Sequence, residues 1–217
     1  MVSMNVMDST RRPRGRPQAR PDAETRHVIA EAARAEFMAN GYASTGMDAV
    51  AKRAGVSKKT LYRLVPTKAA LFKASVADRI DSFLLAVDPD ILALLDIEAG
   101  IERILHEFGR LTLAVDTIAI QRLVLAESDR FPDLATDFYA AAIVATHTNM
   151  TRYLTRMRDE GALVLDDPHV AAGMLRGMMI MEPQRAAMLG QRGAPTESEI
   201  AARATACARL FLHGCRP

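Results

Sequence analysis

The chain has no tryptophan, only four tyrosines and seven phenylalanines in 217 residues, and two cysteines, Cys207 and Cys215. Two thiols cannot build a disulfide framework for a chain of this size, so its stability has to come from an ordinary apolar core. Long apolar runs are missing as well. The longest, residues 138–145, holds eight residues, far short of the ~20 that a bilayer-spanning helix needs. Arg11 and Arg12 are followed by a polar, basic stretch rather than an apolar segment, which argues against a secretory or twin-arginine signal and makes a cytoplasmic protein the expectation. Sustained period-two alternation is absent too, so no strand is supported.

Catalytic patterns are equally scarce. His27, His106, His147, His169 and His213 fall into no metal-ligand spacing, and there is no phosphate-cradling glycine loop or nucleophile elbow. Cys207, His213 and Cys215 match no common zinc pattern. No catalytic residue, metal or cofactor is expected.

What the sequence does have is an asymmetry of charge. Residues 1–70 hold 13 Lys or Arg against 6 Asp or Glu, a net of +7, whereas residues 71–217 hold 15 against 20, a net of −5. A basic end joined to a mildly acidic body points to a polyanion, nucleic acid above all, meeting the N-terminal third.

Hydrophobic residues make up 49% of the chain, enough for a real core, and they recur at helical spacing. Residues 1–21 contain Pro13, Pro17, Pro21 and five arginines and read as a disordered basic tail. From Asp22 a stripe of Ile29, Ala33 and Phe37 marks a first helix, with Asp22 placed to cap it and Gly41 to end it. Thr45 and Asp48 have capping-box spacing for a second helix reaching Gly55. Ser57 is placed to cap a third over 58–64, and Thr67 a fourth that stops at Asp88-Pro89. About five more follow, including a long one over 133–160, one over 168–189 and a last one over 196–213. The prediction is an all-α protein of about nine helices, with a DNA-binding unit over 22–70 and a second domain over 71–217.

Residues 47–64, MDAVAKRAGVSKKTLYRL, meet the demands of a helix-turn-helix. Two short helices crossing steeply need a small residue at their approach, here Ala51, and a residue tolerant of positive φ in the turn, here Gly55. Val50, Val56 and Leu61 supply apolar anchors. Lys58, Lys59, Thr60, Tyr62 and Arg63 are left for the outer side of the second helix, where lysine and threonine suit base edges and tyrosine suits a phosphate. In the tail, Arg14-Gly15-Arg16-Pro17 is the core of an AT-hook-like sequence. Arg14 and Arg16 either enter a narrow minor groove or only raise non-specific affinity.

Residues 27–76 also resemble the DNA-binding domain of the tetracycline-repressor (TetR) family: Asn40-Gly41-Tyr42, then Thr45 and Met47, Ala-Gly-Val-Ser-Lys, Thr-Leu-Tyr and Pro-Thr-Lys-x-x-Leu follow in order. The run 122–141, RLVLAESDRFPDLATDFYAA, resembles the AefR-like subgroup of C-terminal domains. The resemblance implies a homodimer on a palindromic DNA operator, with Thr45, Tyr62 and Lys68 at backbone-contacting positions. It further implies an effector cavity in the body and dimerisation through the last two helices. One departure is Leu64-Val65 before Pro66, where family members commonly carry aromatic residues, so packing between the third and fourth helices is expected to differ.

Five of the twelve methionines lie between Met174 and Met188. Such a cluster either fills core or lines an adaptable cavity. The residues expected around a small, largely apolar ligand are Phe108, Leu111, Leu125, Met174 and Met178. The last helix carries Ala201, Ala202, Ala204, Ala206 and Ala208, which permit the close helix approach of a dimer seam. The function expected is that of a ligand-responsive transcriptional repressor; the alternative is a constitutive architectural DNA-binding protein without an effector.

Overall fold

The structure is a computed structural model and describes residues 20–215. The elements run α1 (Asp22–Ser44), α2 (Met47–Arg53), α3 (Lys58–Leu64), α4 (Lys68–Ala86), a one-turn α5 (Pro89–Leu92), α6 (Ile97–Thr112), α7 (Val115–Glu127), α8 (Pro132–Phe138), α9 (Ala145–Asp159), α10 (Pro168–Met188) and α11 (Glu197–Cys215). Tyr139–Val144 is a π-helical turn that joins α8 to α9 in one rod. With that rod counted once and the single turn of α5 set aside, the described residues form nine helices and no strand.

The starts and stops follow local chemistry. Ser57 Oγ accepts from the Thr60 amide at 3.0 Å and Thr67 Oγ1 from the Ala70 amide at 3.0 Å, capping α3 and α4. Thr196 and Glu199 form a reciprocal capping box ahead of α11, the Thr196 amide donating to Glu199 at 2.7 Å and the Glu199 amide to Thr196 Oγ1 at 3.3 Å. Glycines at positive φ end the long helices, Gly161 at 76° and Gly190 at 72°.

Four local expectations are corrected. Asp22 does not cap α1, because its carboxylate is engaged by the Arg63 guanidinium at 2.7 and 2.8 Å. Thr45 and Asp48 form no capping box: the Thr45 hydroxyl donates to the carbonyls of Gly41 at 2.7 Å and Glu36 at 3.1 Å, closing the end of α1, and Gly46 precedes α2. Gly41, at φ 75°, kinks α1 rather than ending it. The helix expected over 133–160 carries the π turn, where an extra residue per turn re-aims the chain.

One apolar core runs from head to body. Ile29, Phe37, Val50, Leu61 and Leu71 are fully enclosed in the first four helices, and Ile101, Leu105, Phe108, Met150 and Leu154 in the body. Leu64 and Val65 are also buried, so aliphatic side chains fill the α3–α4 corner. Two arginines tie α1 to its neighbours: the buried Arg34 donates to the Ser75 carbonyl from Nε at 3.1 Å and Nη2 at 2.6 Å, and the exposed Arg26 to the Leu64 carbonyl at 2.6 Å. Phe37 stacks on Tyr42 and meets Phe72 edge-on, both with ring centroids 5.5 Å apart. Phe37→Ala should therefore cost about 3–5 kcal/mol in urea unfolding; a loss under ~1 kcal/mol would show that this cluster does not hold the head to α4.

Candidate nucleic-acid interface and ligand cavity

The helix-turn-helix rests on the residues its spacing requires. Gly55 takes φ 65° in the turn, where an L side chain is strained. The Val56 amide donates to the Ala51 carbonyl at 3.0 Å. Val50, Ala51 and Leu61 are buried, and Val56 packs partly buried against the same core.

The polar residues around this turn separate into two groups. Lys59 is exposed and Tyr62 is 48% exposed, so both present their side chains outward from α3. Lys58 is exposed and its ammonium sits 2.5 Å from Asp48 on α2. Thr60 is half-buried, its hydroxyl 2.8 Å from Ser57 Oγ. Arg63 is held by Asp22, and this pairing keeps the Asp22 carboxyl below its usual range. Exposed ion pairs of this kind exchange readily with a phosphate.

Two residues expected at backbone-contacting positions have side chains bonded within the protein. Thr45 is buried, its hydroxyl closing α1. Lys68 donates to the Ala43 carbonyl at 2.9 Å and lies over the Tyr42 ring, 4.7 Å from its centroid. Burial pushes its ammonium pKa down, against the opposing charge of Glu127. Both residues brace the end of α1. Arg14 and Arg16 lie outside the described residues.

The body holds a partly open cavity of about 390 Å³ between α4, α7, the rod of α8 and the π turn, and α10, within the usual size range of small-molecule sites. Its walls are mostly apolar, with Ile80, Ile120, Val124, Phe138, Ile143 and Ile180 among them. Of the residues expected there, Leu111 and Leu125 line it. Phe108 does not; it is buried behind the wall, under the Arg176 guanidinium, whose carbon is 4.9 Å from the ring centroid. Met174 is 65% exposed. Met178 packs on the core and its carbonyl accepts from Arg203 at 2.9 and 3.1 Å. From the methionine cluster only Met188 reaches the cavity. The helical period places Met174 and Met178 on other faces of α10 than the lining residues Arg176, Ile180 and Gln184.

The polar members of the lining, Arg34, Arg79, Asp116, Gln121, Thr146 and Arg176 among them, were not anticipated. A charged residue inside the apolar run of α10 was the available signal for Arg176. Distant histidines also meet, His147 and His169 having ring nitrogens 3.0 Å apart. Burial, then Arg176 and His169, push the His147 pKa down. Among the described residues no group of three or more His, Cys, Asp or Glu side chains is placed to hold a metal ion, and no helix is long and apolar enough to cross a membrane.

A helix-turn-helix head carried on a helical body with an apolar cavity is the architecture of a DNA-binding transcriptional regulator. The comparisons with known proteins specify it further. Residues 29–75 match the family described as bacterial regulatory proteins, tetR family, and residues 99–214 match the C-terminal domain of AefR-like transcriptional repressors. The chain belongs to the TetR family of transcriptional regulators and is not an enzyme. It is 31% identical over 140 residues to the HTH-type transcriptional regulator UidR of Escherichia coli K12, a match spanning 62% of this chain and 65% of that relative. The solved structure of the flavonoid-responsive regulator FrrA is 31% identical, with a TM-score of 0.66, and covers 90% of this chain and 98% of its own. A TetR-family regulator from Mesorhizobium loti shares the fold at 24% identity, with a TM-score of 0.77 over 92% of this chain and all of that one.

Lys59→Ala should weaken binding uniformly across duplex sequences and lower the slope of log affinity on log salt by about 1 if the lysine sits on a phosphate. Sequence-selective weakening would place it on a base edge instead, and unchanged affinity in Lys59→Ala/Tyr62→Ala would contradict the assignment of this face to DNA.

Proposed function

We propose that the protein is a ligand-responsive repressor. It binds a palindromic operator as a homodimer, through residues 22–70 of each copy, and releases it when a small, largely apolar molecule fills the cavity of the body, residues 71–217. Lys58, Lys59, Thr60, Tyr62 and Arg63 face the DNA, and the basic tail with Arg14 and Arg16 adds to the attraction. The site of action is the cytoplasm, where the operator is.

The observation that carries this reading is that the helices walling the cavity also hold the head. Helix α4 contributes Ser75, Val76, Arg79 and Ile80 to the lining, and its first residue, Lys68, is bonded to Ala43. Helix α7 contributes Ile120, Gln121 and Val124, and its last residue, Glu127, accepts from the Ala43 amide at 3.5 Å. A ligand that prefers a wider cavity displaces both helices and re-aims the head; this differential affinity is what releases DNA. The description of FrrA as flavonoid-responsive fits a cavity of this size and apolarity.

The dimer is supported by apolar side chains that α10 and α11 leave uncovered. Val170, Met174 and Met181 on α10 and Leu210 on α11 are each about half exposed or more, beside the exposed Ala201 and Ala202. Pairing the last two helices of two copies would bury them. Sedimentation at micromolar protein, followed by selection of bound fragments from random duplexes, should yield a dimer and an inverted repeat. A monomer, or bound fragments without two-fold symmetry, would overturn the reading.

A further inference from the structure

The cavity wall contains one charge that no carboxylate among the described residues answers. Three arginines reach it. Arg34 bonds to the Ser75 carbonyl and to Glu31 at 2.6 Å. Arg79 is paired with Asp116. Arg176 has no carboxylate among the described residues: its Nη2 donates to Thr146 Oγ1 at 3.3 Å, a long bond to a hydroxyl that itself donates to the Ala142 carbonyl at 2.7 Å. Its Nε is buried without a partner. Beyond that the guanidinium lies over the face of Phe108, with Tyr139 favouring its charged form.

A guanidinium stays charged under any physiological condition, so burial cannot be relieved by losing the proton. Desolvation disfavours the charged form here and lowers the pKa, yet the charge remains, in apolar surroundings that supply no counter-ion. Gln121 adds a second waiting group, its Oε1 buried without a partner on the same wall. A structural arginine would be expected to carry a carboxylate or a set of backbone carbonyls, as Arg34 does.

We propose that the ligand of this cavity is an apolar organic acid whose carboxylate is received by Arg176. The inference rests on the cavity being the effector site and adds the chemical class of the effector. A planar carboxylate matches the fork of the guanidinium and can take two parallel N–H bonds from it. The apolar walls take the ring or chain. Phosphate esters fit less well, because this one uncompensated arginine, with no lysine in the lining, offers too few donors for a dianion.

The test uses matched pairs that differ in charge and hardly in shape: 1-naphthaleneacetic acid with 1-naphthaleneacetamide, and decanoic acid with decanamide. Each is titrated calorimetrically into the full-length protein near neutral pH. The acid of a binding pair should bind at least about tenfold tighter than its amide, the size expected for hydrogen bonds to a charged group. Arg176→Met should bring the acid down to the affinity of the amide while changing the amide by no more than about twofold. Arg176→Lys, which keeps a point charge without the fork, should retain part of the preference and serves where the methionine variant does not fold. Equal or tighter binding of the amides by the wild-type protein, or an undiminished preference in Arg176→Met, would overturn the acid assignment and leave the cavity reading standing. Absence of binding by every member of both pairs would overturn the cavity reading and the inference with it.

Discussion

The junction around Tyr42 is the constraint on which the rest of the architecture depends. Positive φ at Gly41 kinks α1, and the next side chain is driven into an aromatic box. Tyr42 meets Phe37 at 5.5 Å, Phe72 at 5.8 Å and Phe131 at 5.1 Å between centroids, and the Lys68 ammonium covers its face. These partners belong to α1, to α4 and to the loop between α7 and α8. Each aromatic pair adds ~0.5–1.5 kcal/mol beyond its area, so one side chain joins three elements whose relative placement sets where α3 points. Burial, reinforced by Asp137 and Asp133, pushes the Tyr42 phenol pKa up, and the ring stays neutral.

This junction gives the cavity a physical route to the head. Helices α4 and α7 are rigid, each with one end at Tyr42 or Ala43 and several side chains in the cavity wall. In the proposed function a ligand that prefers a wider cavity moves them, because the surrounding core is packed too tightly to deform gradually. Such coupling would be reciprocal: whatever a ligand subtracts from DNA affinity, bound DNA would subtract from ligand affinity. The π turn supports this role. It lies in the apolar run 138–145, places Tyr139, Ala142 and Ile143 in the wall, and is a more adaptable stretch of backbone than the α-helix on either side.

Much of this was legible in the sequence because it is written in short-range chemistry. The 3.6-residue period gave the helices, Ser57 and Thr67 gave two of the caps, and Ala51 and Gly55 marked the crossing of α2 and α3. The misreadings share a cause. Thr45 and Asp22 each have a residue type suited to a helix cap, but other partners occupy them: the carbonyls at the end of α1, and Arg63. The cavity was the least legible feature, because its wall is assembled from several helices far apart in sequence. Met174 and Met178 were chosen by composition, whereas helical phase directs Arg176, Ile180 and Gln184 inward.

The most direct test of the central claim is operator affinity in Phe131→Ala, measured on the duplex selected by the wild-type protein. Phe131 belongs to the body and touches the head through Tyr42, so it alters DNA binding only by way of the junction. Loss of this pair, ~1 kcal/mol, should weaken binding about fivefold in a variant that remains folded and dimeric. Wild-type affinity in such a variant would contradict the account.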